Sequence, residues 1–336
     1  MTAKQAITME DIARLAKVSK PTVSRALNDS PLVRPETKSH VLSVARAHGY
    51  AINRNAQKLR HQRTNAIAVS FDYRSHQHNH IADPFIFELL AGVSEALGNE
   101  GQDLLLCAPS HNDPVSFNEM LSGKAADGFI ILGQGHREDM LRELSGSGAP
   151  LVVWGAGTPT TPYCVVGSDN FLGGQLAARY FLERDRRRIL FVGDVSFREI
   201  HLRREGLHHA VAESGQDIAL LELAAGNFSF ESAYETARRF LASGVAVPDA
   251  IFAFSDTAAM AFIRAFREAG LRFPEDVSVV GYNDIPSAEY FSPPLTTVRQ
   301  DNHLAGRLLV DKLMQRLDGL PAESATIETE LIVRQT

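Results

Sequence analysis

Residues 8–28 read TMEDIARLAKVSKPTVSRALN, and this stretch decides how the chain begins. Thr8 with Asp11 three residues on has the spacing of a capping box. The apolar positions Ile12, Ala13, Leu15 and Ala16 fall on one face of the helix that follows. A tight turn at Lys17-Val18 comes next. Ser19 is then placed to cap a second helix, in which Pro21 is tolerated in the first turn. Val23 and Leu27 point inward, leaving Lys20, Thr22, Ser24 and Arg25 on the exposed edge. Two short helices joined in this way can place the second one in a major groove of DNA, with its free N–H groups toward phosphate. The plainer alternative is a three-helix cap with a solvated basic face.

A third helix is predicted from Pro35 to Ala47, with Val41, Leu42 and Val44 inward and Gly49 as its stop. Residues 51–63, AINRNAQKLRHQR, form a polar, basic linker with marginal helical tendency. From residue 66 apolar strands alternate with amphipathic helices. AIAVSF, DLLLCAP, GFIILG and PLVVWG make one set; CVVGSD, RILFVGD, ALLELAAG, AIFAFSD and VSVVGYND make a second. Helices are expected over 85–98, 170–183, 203–214, 230–242 and 256–269. Such alternation predicts an α/β fold with parallel sheets covered on both faces. The expected domains are a headpiece (1–50), a hinge (51–63) and a core (64–336) of two doubly wound subdomains. The first subdomain is expected to take 64–163 with 299–323, and the second 164–298 with 324–336.

Charge divides at the same place. The whole chain carries 34 Lys+Arg and 40 Asp+Glu, a net −6. Residues 1–63 hold 12 basic and 4 acidic side chains; the remaining 273 hold 22 and 36. A basic segment of +8 on a body of −14 points to a polyanion as partner of the first. Cys107 and Cys164 lie in apolar runs and read as reduced core residues. The first 18 residues contain acids and no apolar run of signal-peptide length, and no 18-residue apolar stretch follows, so a cytoplasmic protein is expected, with no membrane partner.

The residues from 8 to 28 resemble the headpiece of the lactose-repressor (LacI/GalR) family of bacterial transcription regulators. The resemblance continues through VRPETKSHVLSVARAHGY and NRNAQKLR and then over essentially the whole chain. Val18 to Arg25 match the family pattern Val-Ser-x-x-Thr-Val-Ser-Arg. The two variable positions, Lys20 and Pro21, would then read bases: Lys20 by donating to guanine, Pro21 only by touching a thymine methyl or shaping the helix. Arg25 matches a further base-contacting arginine, while Thr22 and Ser24 suit phosphate. Thr8, Ser19 and Asn28 complete the candidate set in the headpiece. Asn53, Arg54, Ala56 and Leu59 match the family's hinge helix, where the leucine is a minor-groove wedge. Two departures stand out: Ile52 where proline is usual, and Arg34 where a serine cap is common.

In the body the resemblance implies a periplasmic-binding-protein-like core. It makes Phe85 a pocket aromatic, Arg203 the arginine that clamps hydroxyls or a carboxylate, Asp256 the carboxylate facing it, and Asn283 a hydroxyl partner. Asp169 would lie near the ligand, and Trp154, the only tryptophan, would stack on a sugar face. Each has an alternative: Asp169 and Asp256 as helix caps, Trp154 as core, Arg203 in a surface ion pair with Glu205 or Asp194. His76, His78 and His80 alternate in a way that suits a metal, but no second cluster supports a closed site, and the segment reads as a loop. There is no phosphate loop, no nucleophile elbow, no HExxH helix and no complete dinucleotide fingerprint. No catalytic residues, metal or cofactor are expected.

The expectation is therefore a non-enzymatic repressor that binds pseudo-palindromic double-stranded operator DNA as a homodimer. A small sugar-like effector would control it allosterically. A purine or phosphorylated sugar acting as co-repressor is the alternative. More distant readings are a sugar-binding transport protein and an α/β enzyme with an appended DNA domain. No leucine heptad follows ATIETELIVRQ, which favours a dimer over a tethered tetramer.

Overall fold

In a computed structural model of the chain, residues 7–27, 30–50, 63–72, 83–108, 112–225 and 228–336 are described. They fall into two units, Met1–Thr64 and Asn65–Thr336.

The first unit holds α1 (Met9–Leu15), α2 (Lys20–Leu27) and α3 (Pro35–Ala47). Thr8 caps α1 as its sequence requires: its side chain accepts from the Asp11 N–H, and Asp11 accepts from the Thr8 N–H at 3.0 Å. The turn closes because Val18 N–H reaches the Ala13 carbonyl at 3.0 Å while Lys17 adopts a left-handed φ of 53°. Ser19 Oγ then accepts from Thr22 N–H at 3.3 Å, opening α2. Ile12, Ala13, Ala16, Val23, Ala26 and Val41 form the small core, with Leu27 and Val44 packed against it. Leu15 corrects the expected apolar face: it is exposed, because Ile12 and Ala16 already fill the stripe and Leu15 lies one residue off it. Arg34 makes no side-chain cap, and Pro35 starts α3 without one.

The second unit contains two six-stranded sheets. The first has the order β11-β5-β4-β3-β1-β2, from β1 (Ala66–Phe71), β2 (Asp103–Leu106), β3 (Gly128–Leu132), β4 (Leu151–Trp154), β5 (Cys164–Ser168) and β11 (Ala325–Ile327). All its pairings are parallel. The second has the order β12-β10-β9-β8-β6-β7, from β6 (Arg188–Val192), β7 (Ala219–Leu223), β8 (Ala250–Ala253), β9 (Ser278–Asn283), β10 (Thr296–Arg299) and β12 (Glu330–Ile332). Only β12 runs antiparallel there. The helices are α4 (Pro84–Asn99), α5 (Pro114–Ser122), α6 (Glu138–Gly146), α7 (Asn170–Leu182), α8 (Arg198–Ser214), α9 (Phe230–Ala242), α10 (Asp256–Glu268), α11 (Pro286–Tyr290) and α12 (Asn302–Leu317). β1, β3, β4, β5, β8 and β9 are buried along their whole length, the burial that near-continuous apolar strands demand.

Two strands sit in a different half from the one expected. CVVGS opens no second sheet; β5 pairs with β4, Val152 opposite Cys164, and closes the first. β11 pairs with β5 in that same sheet, although residues from 324 on are expected in the second subdomain. The reason is physical: no helix separates β4 from β5, and an apolar run carries no mark of which sheet buries it. The chain therefore passes between the halves at Asp169, at Gln300–Asp301 and at Glu328–Thr329. Helix α8 also begins at Arg198, a turn and more before the expected 203. Among the described residues no helix is long and apolar enough to cross a membrane, and no cluster of His, Cys, Asp and Glu is set to hold a metal. Both cysteines are free and buried.

Candidate effector cleft and DNA-reading helix

The strand order reverses beside β1 in the first sheet and beside β6 in the second. The loops that leave the carboxyl ends of those strands diverge there, which is where open α/β sheets form ligand crevices. A cleft with about 790 Å³ of empty space, part of it open to solvent, lies there. Its wall on the first subdomain includes Phe71, Asp72, Asp83, Phe85, Gln134, Trp154 and Gly155; its wall on the second includes Phe197, Glu199, Arg203, Phe228 and Asn283. Ser168, Asn170 and Gln300, all beside crossing points of the chain, complete it.

Arg203 is held from three sides. Its Nε donates to Asn170 Oδ1 at 2.9 Å, Nη1 donates to the Phe254 carbonyl at 2.5 Å, and the guanidinium lies 3.5 Å over the Tyr282 ring. Burial pulls its pKa down, against the opposing pull of Tyr282, Glu199 and Asp83. The close approach of α7 and α8 makes this geometry. A Cβ on Gly206 would stand 1.9 Å from the Phe171 carbonyl oxygen, and one on Gly174 would stand 2.0 Å from that of Arg203. Arg203 and Gly206, three residues apart on α8, are thus one arginine aimed at the cleft and one glycine admitting the neighbouring helix. The surface pairing considered for Arg203 belongs instead to Arg204, which bonds Glu205 and Glu222 at 2.8 Å each.

Phe85 and Trp154 stand side by side on the opposite wall, ring centroids 6.2 Å apart. Asp83 caps α4 by accepting from the Phe85 N–H at 3.1 Å; burial pushes its carboxyl up to about 6. Asn283 ends β9 with a left-handed φ of 113° and accepts from Gln300 Nε2 at 2.7 Å.

Asp169 and Asp256 are not among the residues that line the cleft. Asp169 caps α7, accepting from Leu172 N–H at 2.8 Å, and lies outside the cleft lining. Asp256 is fully buried at the start of α10, where its carboxylate accepts from Ile285 N–H at 2.8 Å and from the Thr297 hydroxyl. Burial raises its pKa to about 8. It ties two loops together and does not face Arg203; Asp83 and Glu199 do so electrostatically. The sequence reading also missed Asn170, Gln134 and Glu199. Asn170, the residue after the candidate Asp169, was the available signal; the other two become cleft residues only through tertiary proximity.

On the headpiece, Ser19, Lys20, Pro21 and Arg25 are exposed, with Thr22 and Ser24 half-buried along the same edge of α2. Lys20 Nζ is paired with Glu10 at 3.3 Å, both side chains largely solvated, a contact of small worth that DNA can displace. Asn28, the hinge candidates Asn53, Arg54, Ala56 and Leu59, and His76, His78 and His80 lie outside the described residues.

Comparison with known proteins agrees with both parts. Residues 8–53 match the bacterial regulatory proteins of the lacI family, and residues 178–336 match the periplasmic binding protein-like domain. The chain is 32% identical to the HTH-type transcriptional repressor PurR of Photobacterium profundum, over 98% of each protein. It is 33% identical to the HTH-type transcriptional regulator CelR of Thermobifida fusca, over the full length of both. Among solved structures it resembles the lac repressor dimer bound to operator and the anti-inducer ONPF, with a TM-score of 0.82 at 25% identity over 99% of each chain. It also resembles the transcriptional regulator CelR–cellobiose complex, with a TM-score of 0.70 at 30% identity over 98% of this chain and 99% of that one.

Proposed function

The chain belongs to the lacI family of bacterial regulatory proteins, and we propose that it represses transcription by binding a pseudo-palindromic operator as a homodimer and responds to a sugar held in the cleft. A DNA-binding regulator controlled by a small molecule is what the family provides. The sugar is supported by the cleft itself. Aromatic faces on both walls suit the C–H faces of a pyranose, while carboxylates, amides and one buried arginine suit its hydroxyls. The effector is bound and released unchanged, in the cytoplasm where the operator is. Lys20, Pro21 and Arg25 read bases, and Thr8, Ser19, Thr22, Ser24 and Asn28 position the headpiece on the backbone. The hinge segment, through Asn53, Arg54, Ala56 and Leu59, enters the minor groove at the operator centre. Phe85, Trp154, Arg203 and Asn283 contact the effector.

The observation that carries the reading is the position of Arg203: buried, on the second subdomain, and electrostatically opposite Asp83 of the first. A ligand that bonds both would hold the subdomains at a set angle. The test is selection of binding sites from random DNA with the full chain, followed by anisotropy titration with sugars. The expected result is a two-fold symmetric site whose affinity changes in the presence of one sugar, a response that Arg203→Ala removes while operator binding persists. Asymmetric selected sites, or an unchanged response in Arg203→Ala, would overturn it.

A further inference from the structure

Gly155 carries no side chain, and the point where its Cβ would stand lies 2.8 Å from Gln134 Oε1 and 3.2 Å from Glu199 Oε1. Gln134 leaves β3 on the first subdomain; Glu199 is in the first turn of α8 on the second. Two acceptor oxygens from opposite walls therefore converge on one spot of the cleft lining. Gln134 is only 5% exposed, and its Nε2 is committed to the Tyr163 hydroxyl at 3.1 Å. Its Oε1 has no hydrogen-bond partner among the described residues. A buried acceptor left in that state costs free energy until something donates to it. Glu199 accepts from its own backbone N–H, and burial, with Asp72 nearby, raises its pKa.

Two cations lie near, and each makes bonds within the protein. Arg203 is bonded to Asn170 and Phe254 and stacked on Tyr282. Arg137 donates to the Phe71 carbonyl, to Asn112 and to the Gly133 carbonyl, and lies 3.6 Å from Asp72.

We infer that Gln134 and Glu199 form an acceptor subsite over Gly155 that selects effectors presenting donor hydroxyls there and rejects anionic ones. This rests on the sugar reading above. A phosphate or carboxylate group at that spot would meet two acceptors and the field of Asp72, whereas two neighbouring hydroxyls would donate one hydrogen bond to each oxygen.

Trp154, the single tryptophan and itself in the cleft wall, reports occupancy of the full-length protein by its fluorescence. Glucose, ribose and cellobiose are titrated against glucose 6-phosphate, ribose 5-phosphate and cellobionate, with hypoxanthine as a non-sugar probe. One neutral sugar is expected to bind saturably and at least tenfold more tightly than its anionic counterpart. Gln134→Met, which keeps the side-chain shape, should weaken that sugar about tenfold. Glu199→Gln, at a partly exposed position that does not depend on core packing, should narrow the neutral-to-anionic gap to threefold or less. If both variants hold the neutral sugar within twofold of the parent, or if the anionic sugar binds as tightly, the subsite falls while the sugar reading stands. If hypoxanthine alone responds, or nothing does, the sugar reading falls and takes the subsite with it.

Discussion

Asp256 shows how one carboxyl can look functional in sequence and be structural in space. It opens a helix after a strand, the place from which ligand-binding acids project, but its oxygens are consumed by Ile285 N–H and the Thr297 hydroxyl. Full burial raises its pKa to about 8, and Asp83 is raised to about 6. For such a group the folded state keeps a proton that the unfolded chain has released. Its unfavourable contribution is absent below the ordinary carboxylate pKa and grows as pH rises toward the raised value. Stability should therefore decline from about pH 4 to pH 8. Asp256→Asn, neutral throughout and still able to bond Thr297, should flatten that decline above about pH 6. Melting temperatures of both proteins between about pH 5 and 9 check this, and parallel curves would show that Asp256 does not titrate there. Asp169 repeats the lesson, since a cap to Leu172 and a ligand contact call for the same residue type at the same position. Gln134 and Glu199 were illegible for the opposite reason. Nothing near either in sequence marks it, and only the meeting of a strand end with a helix start across the cleft gives it a role.

At the scale of elements, most of the architecture could be read because local rules and tertiary packing agree. The Thr8–Asp11 box, Ser19 before α2, Pro35 opening α3 and Gly49 beyond it each place a boundary where the structure has one. The assignment of β5 failed because parallel buried strands are defined by neighbours, and Cys164–Ser168 is equally apolar whichever sheet receives it. The glycines of α7 and α8 lie between these cases. Arg203 on α8 could be singled out, but only the structure shows that Gly206 and Gly174 admit the backbone of the opposing helix. Gly206→Ala should push α8 away from Phe171, at a cost of about 1–3 kcal/mol. The same shift would lengthen the Arg203–Asn170 bond. A lowered urea midpoint together with weakened effector binding is the expected pair of results. An unchanged midpoint would mean that the helices separate without strain, contrary to a Cβ-to-oxygen distance of 1.9 Å.

For the whole molecule the division of charge governs how it meets DNA. A net charge of −6 would argue against a polyanion, but 12 of the 34 basic side chains lie in the first 63 residues with only 4 acids beside them. Counterion release depends on the cations that reach phosphate and not on the net charge of the molecule. Operator affinity should therefore fall steeply between about 50 and 200 mM salt, with a logarithmic slope of about −0.9 per phosphate neutralised. Because the homodimer presents α2 twice, Lys20→Gln should relax base preference at one position in each half-site, symmetrically, at about 1–3 kcal/mol for each lost bidentate contact. Neutralising a cation of the acidic body, such as Arg187 paired with Asp185 at 3.1 Å, should leave both the slope and the preference unchanged. Salt titrations of the parent and the two variants on the selected operator separate these cases. If Arg187→Gln shifts the slope as much as Lys20→Gln does, the body contributes to the phosphate contacts, and the headpiece and hinge are not the whole of the DNA-binding surface.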